Sequence, residues 1–357
     1  MKVKKLKTKI IPAAIIILIM ALLLLAFTFS GCKNAPSESA LSSSKSSSTI
    51  TSAESSVETN KTLSPETTAA KEEQTPIEVT DGMGGKVILE KPAEKVVVLA
   101  PSVLEIFDGL GAMDKVVEVD SFSVQINEPL AKGFKGAGDA NGLNFETITK
   151  LNPDLIILVG FGPGNDYKKL SELGFKIYMS NSASLEDTYN EIINIGKLIG
   201  KSQEAEQLSN NLKEQVSEIY EKVKEIPEDK RPTVFYMVWN DPIMSAGKNT
   251  FINDLIEKAG GINIVSRDGL SDWPEYSLEK IIENNPDIII APVSLAPTPD
   301  TIINDERFVT IKAVINKNVY IIPDNPISRP NQNVIKGLKM LSKAIHPEIF
   351  GEFEIIN

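Results

Sequence analysis

The stretch FETITKLNPDLII (145–157) decides the fold, because it returns later in the chain as LEKIIENNPDIII (278–290). The two segments align without gaps and share seven of 13 residues, including Asn-Pro-Asp before each apolar run. Proline disfavours continuation of a helix, and Asp favours a turn. Each segment therefore predicts a helix that turns into a buried strand. A common helix–turn–strand unit would also explain the repeat, but together with the long helix described below it favours two similar lobes.

Short apolar runs alternate with helix signals on both sides of this repeat, which predicts an α/β fold with a largely parallel sheet. Buried strands are predicted at residues 96–99, 155–159, 176–179, 233–238, 288–291 and 319–322, after a hairpin over 77–89. Helices are predicted after Ser102, after Ser184, over 251–259 and over 331–345. The first of these would begin with a capping box formed by Ser102 and Glu105.

One long helix separates the two halves of the chain. Residues 204–226 contain neither Gly nor Pro, and a helical spacing relates their apolar residues Leu208, Leu212, Val216, Tyr220 and Val223. At 1.5 Å per residue this helix would be ~34 Å long. The fold class predicted is therefore α/β, with two similar lobes joined by one long α-helix. The N-terminal lobe would span 77–200, the connecting helix 201–228 and the C-terminal lobe 229–357. A rigid connecting helix predicts little lobe closure when ligand binds.

The N-terminus has the features of an export signal. Five Lys and no acidic residue occur in the first nine positions, and an apolar run over 10–29 follows. Phe29-Ser30-Gly31-Cys32 resembles the lipobox of bacterial lipoproteins, which predicts cleavage after residue 31 and diacylglycerol on Cys32. The alternative is an uncleaved membrane anchor with an incidental thiol. Residues 32–76, rich in Ser and Thr, are predicted to be a disordered tether. The protein would be lipid-anchored on the extracytoplasmic face of a Gram-positive type of cell membrane.

Composition excludes several kinds of site. The 357 residues include one Cys and one His, which allow no internal disulfide, no Cys-based zinc site and no multi-His metal cluster. The formal net charge is −11, and removal of residues 1–31 leaves 32 Lys and Arg against 48 Asp and Glu, or −16. Such an acidic chain is a poor nucleic-acid binder. We expect no metal or cofactor of its own beyond the diacylglycerol, no nucleic-acid partner, and a monomer.

Four further stretches, with the two Asn-Pro-Asp segments, carry a resemblance to a known family. They are VTDGMGGKVILEKPAEKVVVLAPSVLEIFDGLG (79–111), VWNDPIMSAGKNTFINDLIEKAGGINIV (238–265), DWPEYSLE (272–279) and VYIIPDNPISRP (319–330). In order and spacing they resemble the helix-hinged substrate-binding proteins of ABC importers for ferric siderophores, haem and vitamin B12. The likeness covers about residues 77–350. It implies a protein, not an enzyme, that binds one large metal chelate between its lobes and passes it to a permease. Any metal would arrive inside the chelate.

Ligands of open α/β sheets lie beyond the carboxyl ends of the strands, which selects candidate contacts. The candidate ligand-binding residues are Trp239, Trp273, Arg329, Tyr276, Ser102, Phe122 and Phe161. The alternatives are core packing for the aromatic residues, a surface ion pair for Arg329 and a helix cap for Ser102. Trp273 lies in a segment similar to one that places a Trp against the corrin in vitamin B12 binders. This resemblance favours a cobalamin-like corrinoid over a siderophore or haem, although GDANGLNFE (138–146) lacks the Trp that some of those binders carry there.

Docking to the permease is the second expected site. In the family, one acidic residue on each lobe pairs with Arg residues of the transporter. The resemblance assigns Glu257 to the second lobe, whereas Gly164 stands at the first-lobe position and Asp166 is the nearest acidic residue. Two other functions stay open, a lipoprotein hydrolase and an envelope adhesin or sensor. The hydrolase would need an activated nucleophile or paired carboxylates in the cleft, and His346 is predicted to be a helix-end residue outside it.

Overall fold

The computed structural model describes residues 75–126, 130–139, 142–160 and 164–356. The predicted signal peptide, the lipidated Cys32 and nearly all of the predicted tether lie outside these residues. The folded unit begins at Thr75. Within the part of the chain that is described, no helix has the length and apolar character needed to cross a bilayer.

The N-terminal lobe consists of a hairpin and a four-stranded parallel sheet. Its strands are β1 (Ile77–Thr80), β2 (Lys86–Leu89), β3 (Val96–Leu99), β4 (Val116–Val119), β5 (Gly138–Asp139), β6 (Gly142–Leu143), β7 (Leu155–Val159) and β8 (Ile177–Ser180). The order in the parallel sheet is β4-β3-β7-β8, whereas β1–β2 and β5–β6 form separate antiparallel pairs. The helices of this lobe are α1 (Pro101–Gly109), α2 (Ser121–Ile126), α3 (Phe145–Leu151), α4 (Asn165–Glu172) and α5 (Leu185–Leu198).

The predicted connecting helix is present as α6 (Ser202–Val223), 22 residues long. It starts two residues before the predicted helical segment 204–226 and ends three residues before the end of that segment. Its buried face includes Leu212, Val216 and Ile219. Tyr220, which the apolar spacing placed on that face, is exposed and lies under the Lys258 ammonium, 4.7 Å from its ring centroid.

The C-terminal lobe repeats the parallel design with one antiparallel edge. Its strands are β9 (Thr233–Asn240), β10 (Ile243–Ser245), β11 (Ile262–Asn263), β12 (Ile288–Pro292) and β13 (Val319–Ile322). The order is β10-β9-β12-β13, with β11 beside the beginning of β9 and the antiparallel β10 beside its end. The helices are α7 (Phe251–Lys258), α8 (Ile264–Arg267), α9 (Leu278–Asn284), α10 (Asp300–Ile303), α11 (Lys312–Ile315), α12 (Asn325–Ser328), α13 (Val334–Ile345) and α14 (Pro347–Phe350).

The two Asn-Pro-Asp segments perform the same task in their lobes. Asn152 and Asn285 end α3 and α9 in the left-handed conformation, at φ 46° and 41°. The Asp154 carboxylate accepts two 2.9 Å hydrogen bonds from the backbone N–H groups just before β3. The Asp287 carboxylate accepts a 2.8 Å bond from the N–H of Thr233, which begins β9. Each Asp therefore ties its own strand to the first parallel strand of its lobe, and the repeat is a repeat of lobe construction.

The predicted capping box at the start of α1 is wrong. The helix begins with Pro101 after Ala100, which makes no side-chain cap. Proline suits this position because its φ is already helical and its missing N–H would have no helical partner. Ser102 is therefore the buried second residue of the helix. The Glu105 carboxylate is used elsewhere, as described below. By contrast, the cap predicted at Ser184 is confirmed, since its hydroxyl accepts from the N–H of Asp187.

The last long helix begins three residues later than predicted. The structure divides the region into α12 and α13, with an irregular segment at 329–333 between them. Pro330 lies in that segment. The side chains of Asn331 and Asn333, in the same segment, bond to the other lobe instead of starting a helical turn.

A hydrophobic cluster shared by the two lobes, here called the shared core, lies between them. It includes Phe107 and Ile157 of the N-terminal lobe, Leu212 of α6, and Tyr236 and Leu341 of the C-terminal lobe. Pulling the lobes apart would expose this surface at about 25 cal/mol per Å². The lobes are therefore held together by this core as well as by the connecting helix.

Candidate functional site

Polar residues and a glycine stand at the carboxyl ends of the parallel strands in both lobes. In the N-terminal lobe β4 leads into Asp120 and β7 into Gly160, and in the C-terminal lobe β9 ends at Asn240 and β13 leads towards Asp324. Helix α1, which follows β3, contacts the 329–333 segment, which follows β13 and α12. The elements that follow β3 and β13 therefore meet at one lobe boundary, and the region beyond strand carboxyl ends is the usual place for a ligand in an α/β fold.

One carboxylate joins the lobes at this boundary. Glu105 of α1 accepts a 2.9 Å hydrogen bond from Arg329 Nη1 at Oε1. Its Oε2 accepts 2.9 Å bonds from the side-chain amides of Asn331 and Asn333. Its backbone carbonyl accepts a 2.6 Å bond from Gln332 Nε2. We call these five residues the Glu105 cluster.

The Arg329 guanidinium, predicted to anchor a ligand, is already engaged in the Glu105 cluster. Its side chain and that of Glu105 are each 12% exposed. A partly buried ion pair with additional hydrogen bonds leaves little net charge at this lobe boundary. Any anionic group of a ligand would have to compete with Glu105 for this guanidinium.

Trp239 lies half-buried at the end of β9, where its indole N–H donates to the Asp241 carbonyl at 2.9 Å. Beside it, Asn240 accepts a 2.5 Å bond from Arg307 Nη2. Arg307 also pairs with Asp305, which lowers the pKa of the Asp305 carboxyl. The sequence did not reveal this charged pair at the end of β9, since Arg307 reaches β9 from 67 residues away.

Trp273 is half-buried in a loop that extends the sheet beyond β10. The N–H of Ser245 donates to the Pro274 carbonyl at 3.1 Å, and β10 itself pairs with the end of β9 that carries Trp239. Trp273 and Val238 both pack against the shared core. Because side chains alternate along a strand, Trp239 is directed to the opposite face of β9 from Val238. The structure thus brings the two Trp segments together but does not place both indoles on one face.

Tyr276 lies in the core of the C-terminal lobe, with 2% of its surface exposed. Its ring stacks on Phe235 with centroids 6.0 Å apart. Its hydroxyl donates to Asp268 Oδ2 and accepts from Asn284 Nδ2, both at 2.7 Å. Burial raises the pKa of this phenol. The structure gives Tyr276 a packing role and no surface that a ligand could reach.

The other predicted contacts occupy different positions. Ser102 is buried in the first turn of α1, and Phe122 is half-buried in α2 directly after Asp120. Asp120 caps α2 by accepting from the Ser123 N–H at 2.7 Å and from its hydroxyl, and burial raises the pKa of this carboxyl. Phe161 lies outside the described residues.

Met83 is a further candidate for ligand contact that was not predicted from the sequence. It is an exposed apolar side chain at the tip of the β1–β2 hairpin. The tip is fixed beside the end of β8, because the N–H of Gly82 donates to the Met179 carbonyl at 2.7 Å. A Cβ placed on Gly160 would lie 3.2 Å from the Met83 sulfur, so Met83 touches the strand-end loop that follows β7. Only the position of the hairpin in three dimensions could have revealed this.

The predicted docking residues lie on separate helices. Glu257 is exposed on α7 and accepts a 2.9 Å bond from the Asn253 side-chain amide. Asp166 lies in the first turn of α4, whose N-cap is Gly164. The assignment of both to permease docking stays a prediction.

His346 ends α13 as predicted. It is buried, with Nδ1 2.9 Å from Glu348 and Nε2 3.2 Å from the Gly260 carbonyl oxygen. Among the residues that the structure describes, no group of three or more His, Cys, Asp or Glu side chains is placed to hold a metal ion.

Comparison with known proteins gives concordant matches. The model of the periplasmic binding protein family matches residues 96–326. The chain is 29% identical over 287 residues to the uncharacterized ABC transporter substrate-binding lipoprotein YvrC of Bacillus subtilis, covering 79% of this chain and 89% of that protein. It is 26% identical over 277 residues to a cobalamin-binding protein of Halobacterium salinarum, covering 76% and 74%. A possible iron-binding (periplasmic solute-binding) protein of Staphylococcus epidermidis superimposes with a TM-score of 0.62 at 31% identity, covering 72% and 100%.

Proposed function

Because the chain belongs to the periplasmic binding protein family, we propose that it is the extracytoplasmic substrate-binding protein of an ABC importer. It captures a large metal chelate between its lobes and delivers it to the permease. The observation that carries this proposal is the contact, at the Glu105 cluster, between α1, which follows β3 of the N-terminal lobe, and the 329–333 segment, which follows β13 of the C-terminal lobe. The name of the Bacillus subtilis relative supports the same role. We propose no enzymatic activity for the chain.

A cobalamin-like corrinoid is the ligand that we favour. The Halobacterium salinarum relative is named for cobalamin. We place Trp239, Trp273 and Met83 at the cleft, where aromatic and apolar side chains would suit a broad, partly apolar ring system. We also place the Glu105–Arg329 pair beside the ligand, and its small net charge would suit neutral peripheral amides better than the high negative charge of a ferric catecholate. A ferric siderophore or haem is the alternative, and the Staphylococcus epidermidis structure, named as a possible iron-binding protein, favours an iron-containing ligand.

A thermal-shift panel tests the function. Ligand at 100 times its Kd adds about 2.7 kcal/mol to apparent stability. For a folded body of about 280 residues that corresponds to a rise in Tm of about 5 °C. We expect this rise with cyanocobalamin. No shift with cyanocobalamin, ferric hydroxamates, ferric catecholates or haem would contradict an importer binding protein. Turnover of an ester or glycoside panel would instead favour the hydrolase.

We place Glu257 and Asp166 at the contact with the permease. Glu257 is solvent-exposed, and Asp166 is half-buried in the first turn of α4. Exposed ion pairs contribute orientation and association rate more than affinity.

The membrane anchor is the lipid that we propose on Cys32, on the outer face of a Gram-positive type of envelope. We expect labelled palmitate to enter the wild-type protein and none to enter Cys32→Ala, because the thiol is the only attachment point. The precursor of this variant should also keep its signal, and its apolar run can itself span a bilayer. Radiolabelling and intact mass therefore decide the question better than cell fractionation. Ser30 and Gly31 are left unchanged, and Ser37→Ala serves as the control. Palmitate in the Cys32→Ala protein would contradict the assignment.

A further inference from the structure

We propose that Glu105 is a positioning residue for the ligand cleft: it ties the two lobes at the cleft floor and so keeps the strand ends at the separation that ligand binding requires. This inference rests on the proposed function. The residues that carry it form the Glu105 cluster, which is separate from the aromatic side chains expected to touch the ligand.

The placement of Glu105 shows that its carboxylate does not serve its own helix. It is the fifth residue of α1, whose N-terminus starts with Pro101 and has no side-chain cap. All the hydrogen bonds found for this carboxylate in the described structure come from the other lobe, more than 220 residues later in the chain. The contact is therefore wholly a link between lobes.

The 329–333 segment is shaped to receive this carboxylate. Asn331 is buried, and its Oδ1 accepts a 2.7 Å bond from the N–H of Asn333, which leaves its amide directed to Glu105. Gln332 lies against α1 so closely that a Cβ on Gly109 would be 2.7 Å from its Nε2. Glycine at position 109 is what permits this approach. Side chains on both lobes thus fit the same contact.

Removing the Glu105 carboxylate would take an acceptor away from several hydrogen-bond donors at once. Asn331 and Asn333 would each lose an acceptor in a largely water-excluded site, and such amides are costly to leave unpaired, while Arg329 would lose one of its partners. The shared core would still hold the two lobes together. The expected result is a wider range of lobe separations at the cleft, with the fold kept.

A wider range of separations should weaken binding in a particular way. If only a fraction of molecules has the binding-competent arrangement, apparent affinity falls by that fraction. The loss appears in the association rate, while the complex, once formed, dissociates as before. A residue that touches ligand directly would instead raise the dissociation rate.

The test compares Glu105→Ala and Glu105→Gln with wild type, using cyanocobalamin as the probe in stopped-flow tryptophan fluorescence. We expect the association rate to fall about tenfold in Glu105→Ala, as for a competent fraction of about one tenth. Glu105→Gln, which keeps one acceptor oxygen, should lie between. Dissociation rates should agree within twofold. Asp154→Asn is the matched control, because it weakens a carboxylate tie inside one lobe and should leave the association rate unchanged.

Ligand-free measurements keep this inference separate from the proposed function. In scattering, Glu105→Ala should have a larger radius of gyration than wild type. In hydrogen exchange, the 329–333 segment should lose protection in Glu105→Gln, which is the milder variant if Glu105→Ala does not fold. The inference would be overturned if the variants kept the wild-type radius of gyration, hydrogen-exchange protection and association rate. An effect confined to the dissociation rate would also overturn it. If wild type binds no chelate, the proposed function fails, and these ligand-free readouts still decide the role of Glu105.

Discussion

Replacing Glu191 with Gln should remove about 3 kcal/mol of pH dependence from the free energy of unfolding. Glu191 lies on α5 with only 3% of its surface exposed. Its Oε2 accepts a 2.8 Å bond from the Ser182 hydroxyl, while its Oε1 is buried with no hydrogen-bond partner among the described residues. Burial, with a smaller contribution from Asp187, raises the pKa of this carboxyl from 4.5 to about 7, against the opposing hydrogen bonds of Ser180 and Ser182.

The direction of the effect follows from where the proton is held. Between pH 4.5 and 7 the folded protein keeps a proton on Glu191 that the unfolded chain has released. The stability contributed by this proton is complete below pH 4.5 and is lost as the pH rises to about 7. At 1.36 kcal/mol per pKa unit, the loss is about 3 kcal/mol. An amide at this position does not titrate, so this component should disappear.

Urea unfolding of both proteins at intervals from pH 4.5 to 8.5 measures the difference. Buried Asp120, whose pKa is also raised, contributes equally to both curves and cancels in the comparison. Glu186→Gln is the control, because it changes an exposed carboxylate on the same helix. Parallel curves for Glu191→Gln and wild type would show that Glu191 ionises as an ordinary carboxyl.

Replacing Gly337 with Ala should destabilise the protein by about 3 kcal/mol, the upper part of the range for overpacking. Gly337 lies in α13 where α12 crosses it. A Cβ at this position would be 2.2 Å from the Pro326 carbonyl oxygen and 2.6 Å from Ile327 Cγ2. The nearer atom belongs to the backbone and cannot turn aside, so α12 itself has to move. Because α12 leads directly into Arg329, the variant should also bind ligand more weakly.

Chemical denaturation measures this loss, with Gly164→Ala as the control. Gly164 precedes α4, and a Cβ there would meet no atom within 4 Å. The control should cost less than about 1 kcal/mol, the usual size of an N-cap change. Equal stabilities of Gly337→Ala and wild type would mean that α12 and α13 are not packed as closely as described.

The sequence analysis missed two parallel strands, β4, which contains Glu118, and β11, which has only two residues. The other six parallel strands could be predicted because each is a short apolar run bounded by turn residues. The repeated Asn-Pro-Asp was informative for the same reason, since the left-handed Asn and the capping Asp act within or beside their own segment. The connecting helix was also predictable, because a helical apolar stripe is a local pattern. Its buried residues nevertheless include Ile219 in place of Tyr220, since packing against two lobes selects a slightly different face.

The partners of charged side chains could not be predicted, because they join distant parts of the chain. Glu105 fitted a capping box by its spacing, yet Pro101 starts the helix and the carboxylate binds the other lobe. Arg329 was assigned to the ligand because the sequence does not show that its partner is Glu105, in a distant part of the chain. Tyr276 was placed in the cleft by its nearness to Trp273, although the bridge from the loop to β10 turns it into the core.

Titration of tryptophan fluorescence with cyanocobalamin tests the central claim most directly. The chain has only two Trp, at 239 and 273, and both belong to the segments proposed to form the cleft. We predict strong, saturable quenching with a Kd below about 1 µM, beyond the inner-filter loss given by free N-acetyltryptophanamide at the same concentrations. Unchanged fluorescence with cyanocobalamin, together with saturable quenching by a ferric catecholate or hydroxamate, would contradict the corrinoid assignment.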